Sequence, residues 1–282
     1  MRIFVTGGTG FVGSHFLNAA VGRGHDVVAL KRSAGSAPKV PIEPASGLGG
    51  SLDWLVKSMA EVEEKDIEGC QALVHLAAAG VSPQRATWAE LLEWNVARPM
   101  DLFQTAHGAG VERFVVTGTF AEYGTAGERY EFIPTDAPLE PTFPYAASKA
   151  AFSVACRAFC VEKNAKVSYQ RLFSAYGEGQ HASNFWPSLK TAALAGRDFP
   201  MTPGEQIRDF ISVDRVADAL VAILDRNLNP RTFQVENLAS GQPVALRNFA
   251  TEWWNRFNAV GELQIGALPY RKAEVMRYVP KV

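Results

Sequence analysis

The stretch "TGGTGFVG", residues 6–13, decides the fold of this 282-residue chain. It follows a short apolar run, "RIFVT" (2–6), and opens a segment, 11–22, whose apolar residues recur at helical spacing. Glycine permits a tight turn and a close approach of the main chain to an anion, which the N–H groups of the following helix then face. A strand, a glycine turn and a helix in this order predict a site for the pyrophosphate of a dinucleotide. We assign that cofactor to Gly7, Gly10, Phe11, Val12 and Gly13.

The first half of the chain continues to alternate between strands and helices. Residues 34–50, rich in Gly, Pro and Ala, are interpreted as a loop around at most one short strand near Val40. The alternation predicts an α/β fold, a doubly wound parallel sheet of the Rossmann type with helices on both faces. Further strands are predicted over 25–30, 72–78, 113–119 and 166–174, and helices from about Trp88 to His107 and around Tyr145.

The second half of the chain has shorter elements. Helices are predicted over 185–196, 213–226 and 245–257, and strands over 208–212 and 232–236. We therefore expect a dinucleotide-binding domain over residues 1–173 and a smaller C-terminal α/β substrate-binding part over 174–282, which can interleave with the first. Ligands of such folds bind at the carboxyl ends of the parallel strands, so the site is expected between the two parts.

Composition and charge exclude several classes of function. Hydrophobic residues make up 47% and charged residues 20% of the chain, as in ordinary globular domains, and the net charge is −1. No basic run or Cys/His module supports nucleic-acid binding, and no apolar run is long enough to span a membrane. The 3 cysteines and 5 histidines lack metal-ligand spacing, so no metal is expected. With few cysteines and no secretory leader, we expect a cytoplasmic protein.

The residues after the second strand bear on the choice of cofactor. Folds that prefer NAD place a carboxylate there against the ribose 2′-hydroxyl, whereas this chain has Lys31, Arg32 and Ser33. A carboxylate would repel a 2′-phosphate, but a guanidinium can bind one bidentately. We predict NADP(H), with Arg32 as the main contact and Lys31 or Ser33 assisting. NAD(H) is the alternative if these are ordinary solvated residues.

The segment "PYAASKAAF" (144–152) begins a helix and places Tyr145 and Lys149 about one turn apart on one face. By itself this spacing fits an ordinary amphipathic helix as well as an acid/base pair. Because a strand that ends at Thr119 precedes it and the glycine turn supplies a cofactor for the tyrosine to face, the acid/base interpretation is favoured.

Seven motifs occur in a fixed order along the chain. They are "TGGTGFVG" (6–13), "LVHLAA" (73–78), "NVARPMDLFQTAHGAGVERFVVTGT" (95–119), "TFAEYG" (119–124), "YAASK" (145–149), "RLFSAYGEGQ" (171–180) and "RDFISVDRVADAL" (208–220). In this order they resemble the extended short-chain dehydrogenase/reductase family, in its nucleotide-sugar epimerase/dehydratase/reductase branch. The resemblance covers nearly the whole chain.

The resemblance implies a role for each reacting residue. Tyr145 is the acid/base, and Lys149 and the oxidised nicotinamide favour its phenolate form. Lys149 also holds the hydroxyls of the nicotinamide ribose, and Thr119 forms a hydrogen bond to the reacting oxygen. In the family the cofactor further contacts a fourth-strand motif, an asparagine in the next helix and a hydrophobic residue beside adenine. The corresponding residues here are Leu76, Ala77, Ala78, Asn95 and Leu52.

Departures from the family pattern narrow the reaction. Dehydratases of this branch carry Asp-Glu directly after the threonine, because eliminating water needs its own acid and base. This chain has Phe120 and Ala121 there, so 4,6-dehydration is not expected. Arg208 matches an arginine that meets the nucleotide-sugar phosphates in relatives; a structural ion pair is the alternative. The substrate side is assigned to Ser82, Gln84, Phe120, Ala121, Ser174 and Arg208.

Three hypotheses about function follow. The first is an NADPH-dependent reductase of a nucleotide-linked 4-keto-6-deoxyhexose. The second is a nucleotide-sugar epimerase that retains its NAD(P) through oxidation and re-reduction. The third is a non-catalytic protein that senses the cofactor, which the presence of both Tyr145 and Lys149 disfavours. A homodimer paired through the helices from about 88 and 145 is expected from the resemblance.

Overall fold

A computed structural model describes residues 1–43, 49–81, 83–272 and 274–282. In chain order the strands are β1 (Arg2–Thr6), β2 (Asp26–Lys31), β3 (Leu52–Val56), β4 (Ala72–His75), β5 (Arg113–Thr119), β6 (Lys166–Leu172), β7 (Ser174–Tyr176), β8 (Phe199–Met201), β9 (Ile207–Ser212), β10 (Thr232–Leu238), β11 (Pro243–Ala245), β12 (Leu263–Ile265) and β13 (Arg277–Tyr278). The helices are α1 (Phe11–Gly22), α2 (Glu64–Ile67), α3 (Trp88–Leu92), α4 (Arg98–Gly108), α5 (Pro144–Glu162), α6 (Phe185–Leu194), α7 (Val213–Leu224) and α8 (Leu246–Arg256).

Seven parallel strands form the large sheet in the order β10-β6-β5-β4-β1-β2-β3. The chain runs outward from β1 through β2 to β3, then returns to the other side of β1 at β4. The carboxyl ends of β1 and β4 therefore flank a switch point, where α/β sheets bind their ligands. The predicted doubly wound parallel sheet is confirmed.

Alternation along the central strand supplies two cores, one on each face of the sheet. Ile3 and Val5 pack on one side with residues of α1 and α7, and Phe4 packs on the other with residues of α4 and α5. Burying a large apolar side chain contributes about 1.5–3 kcal/mol, so these two layers hold the helices firmly against the sheet.

The smaller sheet is built around β9. It pairs antiparallel with β11 and parallel with β7 and β13. A separate aromatic core under α6 and α8 includes Trp254 and Leu189. Although β10 follows residue 173, it lies in the large sheet beside β6. The division of the chain into two domains at that residue stays a prediction.

Two predicted elements differ from the structure near the start of the chain. No strand forms at Val40; the strand lies instead at β3, which was not predicted. β3 pairs only with β2, at the edge of the sheet, and none of its residues is fully buried. An edge strand therefore needs no continuous apolar run, and "LDWLV" gives a weak signal.

The helix predicted from Trp88 to His107 is interrupted by a π-helical turn over Glu93–Ala97. Pro99 follows this turn and lacks the N–H that would pair with the carbonyl of Asn95, so the regular ladder is broken there. The strand predicted over 166–174 also divides, because β7 leaves the large sheet to pair with β9. Among the described residues, no helix is both long and apolar enough to cross a membrane.

Candidate active site

The glycine turn after β1 is packed against the end of β4. Gly7 has φ +76°, and a Cβ there would lie 2.5 Å from the main-chain nitrogen of Ala77. A Cβ on Gly13 would lie 2.0 Å from the carbonyl oxygen of Gly7. Only glycine fits at either position, because the clashes are with main-chain atoms that cannot rotate away. The tight turn predicted from "TGGTGFVG" is therefore formed.

The first turn of α1 has the features of an anion site. Gly10 precedes the helix and provides no side-chain cap, and the first turn contains no acidic residue. The N–H groups of the first turn, including those of Phe11 and Val12, are thus left for another acceptor, and the helix dipole favours a negative one. The cradle at Gly7 and Gly13, which a Cβ would fill, fits the pyrophosphate of a dinucleotide. Its contacts with these residues stay a prediction.

Lys31 is the last residue of β2, beside the end of β1, and Arg32 and Ser33 follow it. The Lys31 ammonium donates to the carbonyl of Ala34 at 3.3 Å and lies 5.2 Å from the centre of the Trp54 ring. Arg32 is exposed and forms no ion pair with any residue in the described part of the chain. The charge of Arg32 is therefore available for a ligand.

Leu52 was expected beside adenine, and the structure corrects this. Leu52 is the first residue of β3 and pairs with Val27, so it lies at the amino end of the strand, away from the glycine turn. At the carboxyl end the chain has Ser58 and Met59 instead, because β3 ends at Val56. Leu52 was placed beside adenine because β3 had not been predicted as a strand.

The residues after β4 and Asn95 are linked by hydrogen bonds. The Asn95 side chain accepts from the main-chain N–H of Ala79 at 2.7 Å and donates to its carbonyl at 3.1 Å. It also donates to the Ser148 hydroxyl at 3.0 Å, which donates to the carbonyl of Tyr145 at 2.8 Å. Asn95 thus joins the loop that begins with Leu76, Ala77 and Ala78 to α5. A direct contact of Asn95 or of this loop with the cofactor stays a prediction.

Thr119, Tyr145 and Lys149 stand on two elements that pack against each other. Thr119 ends β5, and α5 packs on β5 and on the 3₁₀ turn that follows it. The Thr119 hydroxyl accepts from the N–H of Ala121 at 3.3 Å and still has its own proton to donate. Lys149 is 2% exposed, and its ammonium lies 5.5 Å from the centre of the Phe152 ring.

Burial decides the protonation of the tyrosine and the lysine. Burial raises the pKa of Tyr145 well above its usual value, and the negative charge of Glu122 raises it further. Burial lowers the pKa of Lys149, and Glu122 opposes that change. The groups of this chain alone therefore favour the phenol of Tyr145, not the phenolate expected from the resemblance. A buried ammonium with no hydrogen-bond acceptor in the described part of the chain fits the ribose hydroxyls of a dinucleotide.

His75 ends β4 and belongs to the core. Its Nδ1 lies 2.8 Å from the Thr6 hydroxyl, and its ring packs edge-on against Phe103 and Phe152. Burial, with a smaller effect of Lys149, lowers the pKa of His75 to about 3. The ring is neutral at physiological pH and acts as a packing residue.

The described residues among those assigned to the substrate differ in their burial and in the partners that they already have. The Phe120 ring packs 5.5 Å from the rings of Phe173 and Tyr278. The Arg208 guanidinium donates to the Glu274 carboxylate at 3.3 Å and to the carbonyl of Val275 at 2.6 Å. This is the ion pair left open as the alternative. Ala121 is buried, Ser174 half-buried and Gln84 exposed, while Ser82 lies outside the described residues.

Glu122 is a functional candidate for which the sequence motifs predicted no role. It is fully buried and accepts hydrogen bonds from the Thr119 N–H and from Arg171. A signal for it exists, since threonine followed three residues later by glutamate is the spacing of a capping box. Thr119 and Glu122 form that box on the 3₁₀ turn after β5.

This arrangement defines a class of protein, the short-chain dehydrogenases and reductases, which use a dinucleotide at the switch point and a tyrosine–lysine pair on the helix beside it. Within that class, the chain belongs to the NAD dependent epimerase/dehydratase family, whose sequence model matches residues 3–236. The resemblance inferred from the seven motifs is thereby confirmed.

Relatives extend the match along the whole chain. A CDP-abequose synthase of Salmonella muenchen is 25% identical over 278 residues, covering 98% of this chain and 87% of that protein. A UDP-glucose 4-epimerase of Corynebacterium glutamicum is 27% identical over 268 residues, covering 88% and 78%. The solved structure of MoeE5 in complex with UDP-glucuronic acid and NAD superimposes with a TM-score of 0.81 at 27% identity, covering 100% of this chain and 90% of that one. These relatives are, by name, enzymes of nucleotide sugars, and the chain shares their family.

Proposed function

We propose that this protein is an NADPH-dependent reductase of a nucleotide-linked 4-keto-6-deoxyhexose. The observation that carries the proposal is the absence of a free acid beside Thr119 among the described residues. Phe120 is packed in an aromatic cluster, Ala121 has no functional group, and the carboxylate of Glu122 is bonded to Arg171. Water elimination needs such an acid and base, whereas reduction of a carbonyl needs a single proton donor.

The protonation of Tyr145 suits this direction. A phenol whose pKa is raised by burial carries its proton at neutral pH and can give it to a carbonyl oxygen. The Thr119 hydroxyl can donate to the same oxygen and orient it. Lys149 holds the ribose hydroxyls, and the first turn of α1 holds the pyrophosphate. When bound, the reduced nicotinamide supplies the hydride.

Cofactor consumption tests the proposal. The measurement is NADPH oxidation across CDP-, dTDP- and GDP-linked 4-keto-6-deoxy sugars, with the stereochemistry of each product assigned. We expect one NADPH consumed per reduced sugar. Conversion of a nucleotide sugar to its epimer with no net consumption of NADPH would instead support the epimerase and contradict the reductase.

Arg32 is expected to decide the preference for NADPH. A hydrogen bond to a charged group contributes about 1.5–3 kcal/mol, so Arg32→Ala should weaken NADPH binding by roughly 10–100-fold. NADH lacks the 2′-phosphate, and its affinity should not change. Titration of nicotinamide fluorescence measures both constants, and Arg197→Ala, which removes another exposed guanidinium, is the matched control. Tighter binding of NADH than of NADPH in the wild-type protein, unaltered by Arg32→Ala, contradicts the assignment.

A further inference from the structure

Glu122 is a charged side chain with no exposure to solvent, and it lies directly under the reacting residues. Its Oε1 accepts from the Thr119 N–H at 2.8 Å and from the Tyr169 hydroxyl at 2.9 Å. Its Oε2 accepts from Nε of Arg171 at 2.8 Å. Burying a carboxylate is costly unless it is paired and hydrogen-bonded, and here three donors from two strands meet it.

The Tyr169 hydroxyl extends this contact to the helix that carries the acid/base. It lies 2.9 Å from Glu122 Oε1 and 3.1 Å from the carbonyl oxygen of Lys149, so its single proton is shared between them. A Cβ on Gly118 would lie 2.4 Å from Glu122 Oε1 and 2.3 Å from the Tyr169 ring. The space beneath the site is therefore filled by these two side chains and leaves no room for another.

We propose that Glu122 is a positioning residue, whose carboxylate holds the main chain of Thr119 and, through the Tyr169 hydroxyl, the main chain of Lys149 in one fixed arrangement. The inference rests on the proposed function, in which Thr119 and Lys149 serve the same reacting centre. The positions of Thr119 and Lys149 therefore depend on contacts of their main chains as well as on their own side chains. Thr119 is at a strand end and Lys149 is inside a helix, and the two elements meet at this carboxylate.

Arg171 holds the carboxylate in place. Besides Glu122, the guanidinium donates to the Tyr123 hydroxyl at 2.9 Å and to the carbonyl of Thr135 at 2.8 Å. An amide in place of the carboxylate cannot satisfy both the Thr119 N–H and Arg171, because one of them would face an NH₂ group. The charge of Glu122 is also felt by the ionisable groups around it, which are Tyr123, Tyr145, Lys149, Cys156, Tyr169 and Arg171.

Three substitutions distinguish the effect of the hydrogen bonds made by the Glu122 carboxylate from the effect of its charge. Tyr169→Phe removes only the hydroxyl that links Glu122 to Lys149. Glu122→Asp keeps the charge but shortens the side chain, and Glu122→Gln keeps the length but removes the charge. Tyr123→Phe is the matched control, because it removes a buried phenol hydroxyl from the other side of Arg171. For each purified variant we would measure thermal unfolding, NADPH affinity by fluorescence, and kcat and KM for the nucleotide sugar across pH.

Small displacements of reacting groups are costly, so we expect Tyr169→Phe and Glu122→Asp to lower kcat by about tenfold or more and to weaken NADPH binding, with KM for the sugar unchanged. Glu122→Gln should in addition move the alkaline limb of the kcat profile to lower pH, because a negative charge beside Tyr145 is lost. Tyr123→Phe should lower the unfolding temperature alone.

Two results would overturn the inference. One is wild-type kcat and NADPH affinity in folded Tyr169→Phe and Glu122→Asp, which would leave Glu122 a purely structural ion pair. The other is a loss in Tyr123→Phe equal to that in Tyr169→Phe. The proposed function fails differently, through a wild-type protein that reduces none of the keto sugars. NADPH affinity of the variants still tests the positioning of Lys149 in that case.

Discussion

Tyr145→Phe is expected to lower the turnover of the keto sugar by about 10²–10⁴-fold, the usual contribution of a positioned proton donor. The substitution removes one hydroxyl and leaves the ring on α5. Because the glycine turn and Lys149 are untouched, NADPH affinity should stay as in the wild-type protein. Stopped-flow measurement of NADPH oxidation gives the rate, and fluorescence titration gives the affinity.

The pH dependence of this step follows from the direction of the Tyr145 pKa. Burial and Glu122 both raise that pKa, so the phenol persists through neutral pH. Reduction, which needs the phenol, should be level across neutral pH and fall only at alkaline pH. Oxidation of the alcohol, which needs the phenolate, should rise with pH over the same range. Tyr270→Phe, which removes a hydroxyl that accepts from the Glu205 N–H, is the control. Undiminished turnover in Tyr145→Phe would defeat both the reductase and the epimerase.

Gly13→Ala is expected to weaken NADPH binding by about 100-fold or more. A displacement of binding groups by about 1 Å in an active site can cause a loss of about that factor. The added Cβ would lie 2.0 Å from the carbonyl oxygen of Gly7 and 2.7 Å from its carbon. These are main-chain atoms of the turn itself, so α1 must move away from the turn. The N–H groups at the start of α1 then no longer point at the pyrophosphate together. Fluorescence titration of NADPH measures the loss, and circular dichroism confirms that the variant is folded.

Gly22→Ala is the control in the same helix. A Cβ on Gly22, the last residue of α1, meets no atom within 4 Å. Alanine there reduces the freedom of the unfolded chain, so the variant should gain about 0.4–1 kcal/mol of unfolding free energy. Its NADPH affinity should be unchanged. Equal affinities for NADPH in Gly13→Ala and Gly22→Ala would show that the turn at Gly13 does not hold the cofactor.

Most of the features that were predicted correctly depend on residues that are close together in the chain. The turn at Gly7 and Gly13 was predictable because its requirement is local, a tight main-chain path between a strand and a helix. That Tyr145 and Lys149 lie one turn apart on the same helix was predictable, because helix geometry sets the spacing of side chains four residues apart. The central strands were predictable because they are buried on both faces and therefore run as continuous apolar stretches.

Elements whose surroundings are only half apolar were harder to predict. The edge strand β3 was missed, and with it the place beside adenine that had been given to Leu52. The interruption before α4 was missed, although Pro99 in the interior of the predicted helix is itself a signal for a break in the hydrogen-bond ladder.

The sequence by itself determined the parallel sheet and its glycine turn and singled out Thr119, Tyr145 and Lys149 as candidate reacting residues, because each depends on local conformation and on spacing along the chain. Only the tertiary structure decided which charges are paired. It joins Glu122 to Arg171, 49 residues away, and Arg208 to Glu274, 66 residues away. Burial, which sets the pKa of Tyr145 and makes a partner necessary for Glu122, arises only when distant segments pack together, and no short stretch of sequence encodes it.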